Sequence, residues 1–125
     1  MSRILVVDDD PSLRTLLRLI FESAGFEVAE AGHGLAALDL VQGPRLPNIV
    51  TTDLMMPVMN GNELIRRLRS EARTASIPIV VLSANAQAAE GAQASERGAD
   101  ALMSKPFVPA SLLKLVQSFD PEPPH

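Results

Sequence analysis

The chain has 125 residues, 46% of them hydrophobic, and its 15 acidic and 11 basic side chains give a net charge of −4. That length fits one ordinary domain with a real core, and the acidic balance argues against a direct nucleic-acid binder, which would show a basic patch. Cysteine is absent, which excludes disulfides, thiol nucleophiles and thiolate metal sites; the apolar run Ile4–Val7 is too short for a signal peptide or a membrane span, so a cytoplasmic location is the expectation.

Strand and helix patterns alternate along the chain. Arg3–Asp8 opens as a strand, and its run Ile4-Leu5-Val6-Val7 lacks polar alternation, as in a parallel strand covered on both faces. Asp10 is a good N-cap and Pro11 suits a first helical position. The helix that follows places Leu13, Leu16, Leu17, Ile20 and Ala24 on one face, and Gly25 stops it. Phe26–Ala31 is a more polar strand and suits an edge. Gly34–Gln42 reads as a second helix, Asn48–Asp53 as a third strand, and Asn62–Ser70 as a third helix with Leu64, Ile65 and Leu68 facing inward. Ile77–Ser83 is a second continuous apolar strand. Gln87–Arg97 is a weak helix candidate, alanine-rich and interrupted by Gly91, and Ser83–Arg97 is therefore the segment expected to move in any switch. Ala101–Ser104 is a short edge strand. Ser111–Phe119 is a fifth helix, with Leu112, Leu115, Val116 and Phe119 on one side. Residues 1–119 read as one domain, and the proline-rich tail 120–125 cannot continue a helix.

Strict β-α alternation implies right-handed crossovers and a doubly wound α/β sandwich around a parallel sheet. Ligands in such sheets bind beyond the carboxyl ends of the strands. Strand one ends in Asp8-Asp9-Asp10, strand three in Asp53, strand four in Ser83, and strand five is followed by Lys105-Pro106. With strands two and five at the edges, the others lie side by side and these residues converge. Two carboxylates about 4 Å apart repel by roughly 4 kcal/mol at an effective dielectric of 20, so the cluster needs counter-charge. Lys105 supplies one, and a hard divalent cation held by carboxylate and carbonyl oxygens, Mg²⁺ by preference with Mn²⁺ as a substitute, supplies the rest. An aspartate in that setting can attack phosphorus and form an acyl phosphate.

The motifs Ile4-Leu-Val-Val-Asp8-Asp9, Asp53-Leu-Met-Met-Pro57-Val-Met-Asn-Gly61, Ser83-Ala84 and Lys105-Pro106-Phe107 resemble, in this order, the receiver domains of bacterial response regulators, of the chemotaxis-regulator type. The resemblance covers residues 3 to 119. It implies a flavodoxin-like three-layer fold with five helices and a five-stranded sheet in the order 2-1-3-4-5. It also implies that Asp53 accepts a phosphoryl group and contributes to metal binding, and that Asp9 ligates the metal directly. Asp8 would hold a metal water, and the Met55 carbonyl would be a third protein ligand. Ser83 would meet a phosphoryl oxygen, and Lys105, on a cis bond to Pro106, would be the phosphoryl counter-ion. The implied partners are a sensor histidine kinase or a histidine phosphotransfer protein, plus a downstream target. The implied state is a monomer or a weak phosphorylation-dependent dimer, without turnover of a free substrate. Leu102 stands where the family often has an aromatic switch residue, which puts an aromatic toggle in doubt.

Competing readings exist for several residues. A Mg²⁺-dependent phosphohydrolase with an aspartate nucleophile would want a second acid at position 55, which is Met. A pseudo-receiver that only binds partners would not need the set Asp9, Asp53, Ser83 and Lys105. Gly32-His-Gly34-Leu-Ala-Ala37 matches a dinucleotide fingerprint, but too little sheet follows it. Asp10 reads as a plain N-cap, and His33 and His125 as surface and tail residues. Met56 and Met59 read as packing. Arg14, Arg18 and Glu22 read first as a solvated helix face, and second as a docking face for a phosphodonor protein.

Overall fold

The apolar runs become strands covered on both faces. The computed structural model describes residues 2–84 and 98–120. Five strands, β1 (Arg3–Val7), β2 (Glu27–Ala31), β3 (Ile49–Thr52), β4 (Ile79–Ser83) and β5 (Ala101–Ser104), form one sheet in the order β2-β1-β3-β4-β5. All its pairings are parallel, with Leu5 opposite Val50, Val50 opposite Ile79, and Ser83 opposite Ser104. The described helices are α1 (Pro11–Ser23), α2 (Gly34–Val41), α3 (Gly61–Ser70) and α4 (Pro109–Ser118). The helix expected over Gln87–Arg97 lies outside the described residues, as does most of the segment expected to move. Among the described residues no helix is long and apolar enough to cross a membrane.

Successive side chains of a strand point to opposite faces, and β1 shows why its pattern lacks alternation. Ile4 and Val6 join Leu17 and Phe21 of α1 and Leu112 and Val116 of α4 in one core. Leu5 and Val7 join Ala37 and Val41 of α2 and Leu64, Ile65 and Leu68 of α3 in the other. Phe21 meets Phe26 edge to face with ring centroids 5.9 Å apart.

The helix boundaries follow their caps. The Asp10 carboxylate accepts from the N–H groups of Ser12 and Leu13, and Pro11 is the first residue of α1. Asn60 caps α3 by accepting from Glu63 N–H at 2.9 Å, which moves its start to Gly61 rather than Asn62. α4 begins at Pro109, two residues before the Ser111 expected. One inward assignment is overturned: Leu16 is 44% exposed, and Phe21 takes the buried place. α1 carries apolar residues on most of its circumference, so periodicity alone admits more than one buried stripe.

Candidate functional site

The strand ladder places the charged groups. Asp8 follows β1 and donates its N–H to the Ala31 carbonyl of β2; Asp53 follows β3 and donates to the Val7 carbonyl of β1, both at 3.1 Å. Lys105 follows β5 and donates its N–H to the Ser83 carbonyl of β4 at 2.8 Å. Each backbone is thus held by the last carbonyl of the adjacent strand, and the side chains collect at the carboxyl edge of the sheet, where such folds bind ligands. The third strand stops at Thr52, so Asp53 is the first loop residue and not the strand end.

Asp8 and Asp53 are buried, Asp9 is exposed, and one carboxylate oxygen from each lies within 4.8 Å of the other two. Lys105 Nζ donates to Asp8 Oδ2 at 2.8 Å and to Asp53 Oδ2 at 2.9 Å. The remaining oxygens are also engaged. Asp8 Oδ1 accepts from Asp10 N–H at 2.9 Å. Asp53 Oδ1 accepts from the N–H groups of Leu54 at 2.7 Å and Met55 at 3.2 Å. Burial on its own pulls the Lys105 ammonium down, but the hydrogen bonds and charges of Asp8 and Asp53 outweigh it and hold its pKa above the ordinary lysine value. Lys105 is therefore a fixed cation between two acids.

Three carboxylates facing one ammonium leave an excess of negative charge, and every donor is a hard oxygen. That donor set fits a divalent cation of the Mg²⁺ kind and not a thiophilic metal. Ser83, 1% exposed, ends β4 beside the cluster. Met55 is 74% exposed in the loop after Asp53. The Lys105–Pro106 peptide is cis, as the resemblance implied.

The loop after β3 is shaped by close contacts. An ideal Cβ on Gly61 would lie 2.1 Å from the Asp53 carbonyl oxygen, so only glycine lets α3 start this near the Asp53 backbone. Met59 is buried against Gly34, whose own Cβ would meet the Met59 side chain at 2.8 Å. Gly34 therefore serves packing, and the dinucleotide fingerprint is a coincidence of spacing. His33 is more than a surface residue: its Nδ1 accepts from Ala36 N–H at 3.2 Å and caps α2. Leu102 is half-buried against the α2–α3 side of the core.

Arg14 and Arg18 keep part of their side chains in solvent, as the solvated-face reading expected, but both are also paired. Arg14 Nε lies 3.3 Å and Arg18 Nε 2.5 Å from the two oxygens of Glu30 in β2, and Arg18 Nη1 is 3.0 Å from Glu22. Arg14 Nη1 also donates to the Asp8 carbonyl at 2.6 Å. The available signal was the polar character of β2 next to two arginines one helical turn apart.

The chain is similar to known proteins in sequence and fold. The DNA-binding response regulator MtrA of Mycolicibacterium smegmatis is 41% identical over 117 residues, 94% of this chain and 50% of that protein. The DNA-binding dual master transcriptional regulator RpaA of Synechocystis is 36% identical over 94% of this chain and 48% of its own length. The chain thus spans about half the length of the curated relatives it matches. Among solved structures, the chemotaxis protein CheY4 of Vibrio cholerae superposes with a TM-score of 0.88 at 32% identity, covering 95% of this chain and 98% of that one. The receiver domain of a Pseudomonas aeruginosa sensor histidine kinase, which has a magnesium ion coordinated in its active-site cleft, gives a TM-score of 0.86 at 25% identity over 94% and 96% of the two chains. Strand order, relatives and a family model of the response regulator receiver domain matching residues 4–117 all agree, and the chain belongs to that family.

Proposed function

We propose that the chain takes a phosphoryl group from a phosphohistidine onto Asp53 and signals through the resulting change of shape. The observation that carries this reading is the Lys105 ammonium shared by Asp53 and Asp8, with Asp9 completing a cluster of carboxylates within 4.8 Å. A carboxylate oxygen of Asp53 attacks phosphorus as the phosphorus–nitrogen bond to the imidazole breaks, and the leaving imidazole keeps the bond's electron pair. Lys105 then holds the phosphoryl group by charge, and the Ser83 hydroxyl meets one of its oxygens. Asp9, Asp53 and the Met55 carbonyl would hold Mg²⁺ directly, and Asp8 through a water; Mn²⁺ would substitute. Bound there, the cation neutralises charge on the transferring group. The magnesium ion in the active-site cleft of the Pseudomonas receiver domain supports Mg²⁺ as the cation.

In this reading the donor is a sensor histidine kinase or a histidine phosphotransfer protein. The domain modifies itself and turns over no free substrate. It occupies residues 1–119, and 120–125 is tail or linker. It acts as a monomer or a weak phosphorylation-dependent dimer. The net charge of −4 favours an output through protein contact over direct nucleic-acid binding by this domain.

Incubation with Mg²⁺ and acetyl phosphate should add one alkali-labile phosphoryl group by intact mass, and Asp53→Asn should abolish it. Full labelling of that variant would overturn the assignment.

A further inference from the structure

We infer that Arg14 is a positioning residue for the metal site, acting on Asp9 through the Asp8–Asp9 peptide; this rests on the proposed role of Asp9 as a metal ligand. Asp8 and Asp53 have their carboxylates pinned by backbone N–H groups and by Lys105. Asp9 differs. It is exposed, and among the described residues its carboxylate takes no hydrogen bond. Its placement therefore depends on the backbone that carries it.

That backbone leaves the sheet at Asp8, whose N–H still pairs with Ala31. The Asp8 carbonyl lies past the β1–β3 ladder and needs another donor. Arg14 Nη1 is that donor, at 2.6 Å. The guanidinium is held in turn by Glu30, which Arg18 fixes from its other oxygen. Gly32 leaves the space: an ideal Cβ there would lie 3.3 Å from Arg14 Nη1. A rigid, charge-assisted hydrogen bond from a clamped fork fixes the plane of the Asp8–Asp9 peptide, and with it the direction in which Asp9 leaves the chain. Glu22 and Glu30 balance Arg14 and Arg18, so the clamp adds little net charge beside the acids.

Positioning and simple electrostatics predict opposite signs. Removing a cation near three carboxylates should tighten Mg²⁺ binding if charge alone matters. Loss of positioning should weaken it. Mg²⁺ affinity is measured by isothermal titration on the full chain, with Arg18→Ala as the control that also strips an arginine from Glu30 but leaves the Asp8 carbonyl bonded. We expect Arg14→Ala to bind Mg²⁺ about tenfold more weakly and Arg18→Ala to stay within about twofold of wild type, the scale seen when residues that orient metal ligands are removed. In metal-free protein the Asp9 amide nitrogen resonance should shift in Arg14→Ala and not in Arg18→Ala, because the hydrogen bond polarises that peptide. Arg14→Lys keeps the charge but cannot span Asp8 and Glu30 together, and it should also bind more weakly; it serves as the test if Arg14→Ala does not fold. Unchanged or tighter binding by Arg14→Ala, or equal weakening by both alanine variants, would overturn the inference. A wild-type protein that binds no Mg²⁺ would instead overturn the functional reading, with the metal-free Asp9 resonance still deciding whether Arg14 sets that peptide.

Discussion

Two glycines and one valine in and beside the loop after β3 differ in how much their neighbours can yield. A Cβ on Gly61 would meet backbone, the Asp53 carbonyl oxygen at 2.1 Å and Leu54 Cα at 2.8 Å. Backbone this close to the site moves only if Asp53 moves, so Gly61→Ala should cost about 3 kcal/mol, the upper end for overpacking. Gly34→Ala meets Met59 Cγ and Sδ, which a rotamer change can move, but also Met59 Cβ at 2.9 Å, which only a backbone shift can, so it should cost about 2 kcal/mol. Val58 has φ +71°, and its side chain is 73% exposed. A β-branched residue there is strained and gains little from packing, so Val58→Asn should stabilise the fold by about 1 kcal/mol. Urea unfolding of the three variants checks the ranking, and a destabilised Val58→Asn would show that the loop does not strain this residue. The clustering of Asp8, Asp9, Asp53 and Lys105 was legible because strand ends can be read from apolar runs, and the sheet topology then brings those ends together. Val58 was not, since positive φ at a valine leaves no trace in composition or period. The His33 cap was missed because histidine is not among the usual N-cap residues.

Helix α1 shows where periodic patterns stop being decisive. Leu13, Leu16, Leu17, Leu19, Ile20 and Phe21 surround much of the helix, yet Leu17 and Phe21 are fully buried while Leu16 and Leu19 are 44% and 61% exposed. The buried stripe is selected by what the sheet offers, here Ile4 and Val6 of β1, and by the pull of Glu30 on Arg14 and Arg18 along the neighbouring face. Leu17→Ala should therefore cost about 3 kcal/mol and Leu16→Ala under about 1 kcal/mol. Equal losses in denaturant midpoints would show that the helix is rotated from the orientation described. Helix α3 was easier, because its apolar residues Leu64, Ile65 and Leu68 make one narrow stripe and all three are buried. Its arginine Arg69 was not legible in role. It donates to the carbonyls of Ala75, Ile77 and Gly98 and pairs with Asp100 at 2.8 Å, tying the loop before β4 to the start of β5. Carbonyl partners have no residue identity, so sequence cannot announce them.

The whole molecule places its acidic cluster at the ends of its central strands. β1 and β3 are central strands packed on both faces, so the acids that follow them cannot spread apart without disturbing two cores. Lys105 compensates Asp8 and Asp53 by direct contact, and its raised pKa reflects that attraction. Asp9 has no such partner among the described residues and adds repulsion that a cation would relieve. Stability should therefore respond to Asp9 with opposite signs in the two conditions. In EDTA, Asp9→Asn removes an unpaired charge and should raise the urea midpoint above wild type. At Mg²⁺ ten times the wild-type dissociation constant, the wild type gains about 1.4 kcal/mol from binding to the folded state alone. With Asp9 as a direct ligand, as proposed, the variant gains far less, and the order of the midpoints should reverse. Lys105→Ala is the complementary case. It loses the internal counter-charge, should be the least stable of the three in EDTA, and should gain the most from Mg²⁺ as the cation takes over that compensation. If Asp9→Asn keeps its advantage at every Mg²⁺ concentration, Asp9 is not a ligand; if Lys105→Ala gains no more than wild type, the lysine and the cation do not share the work of neutralising Asp8 and Asp53.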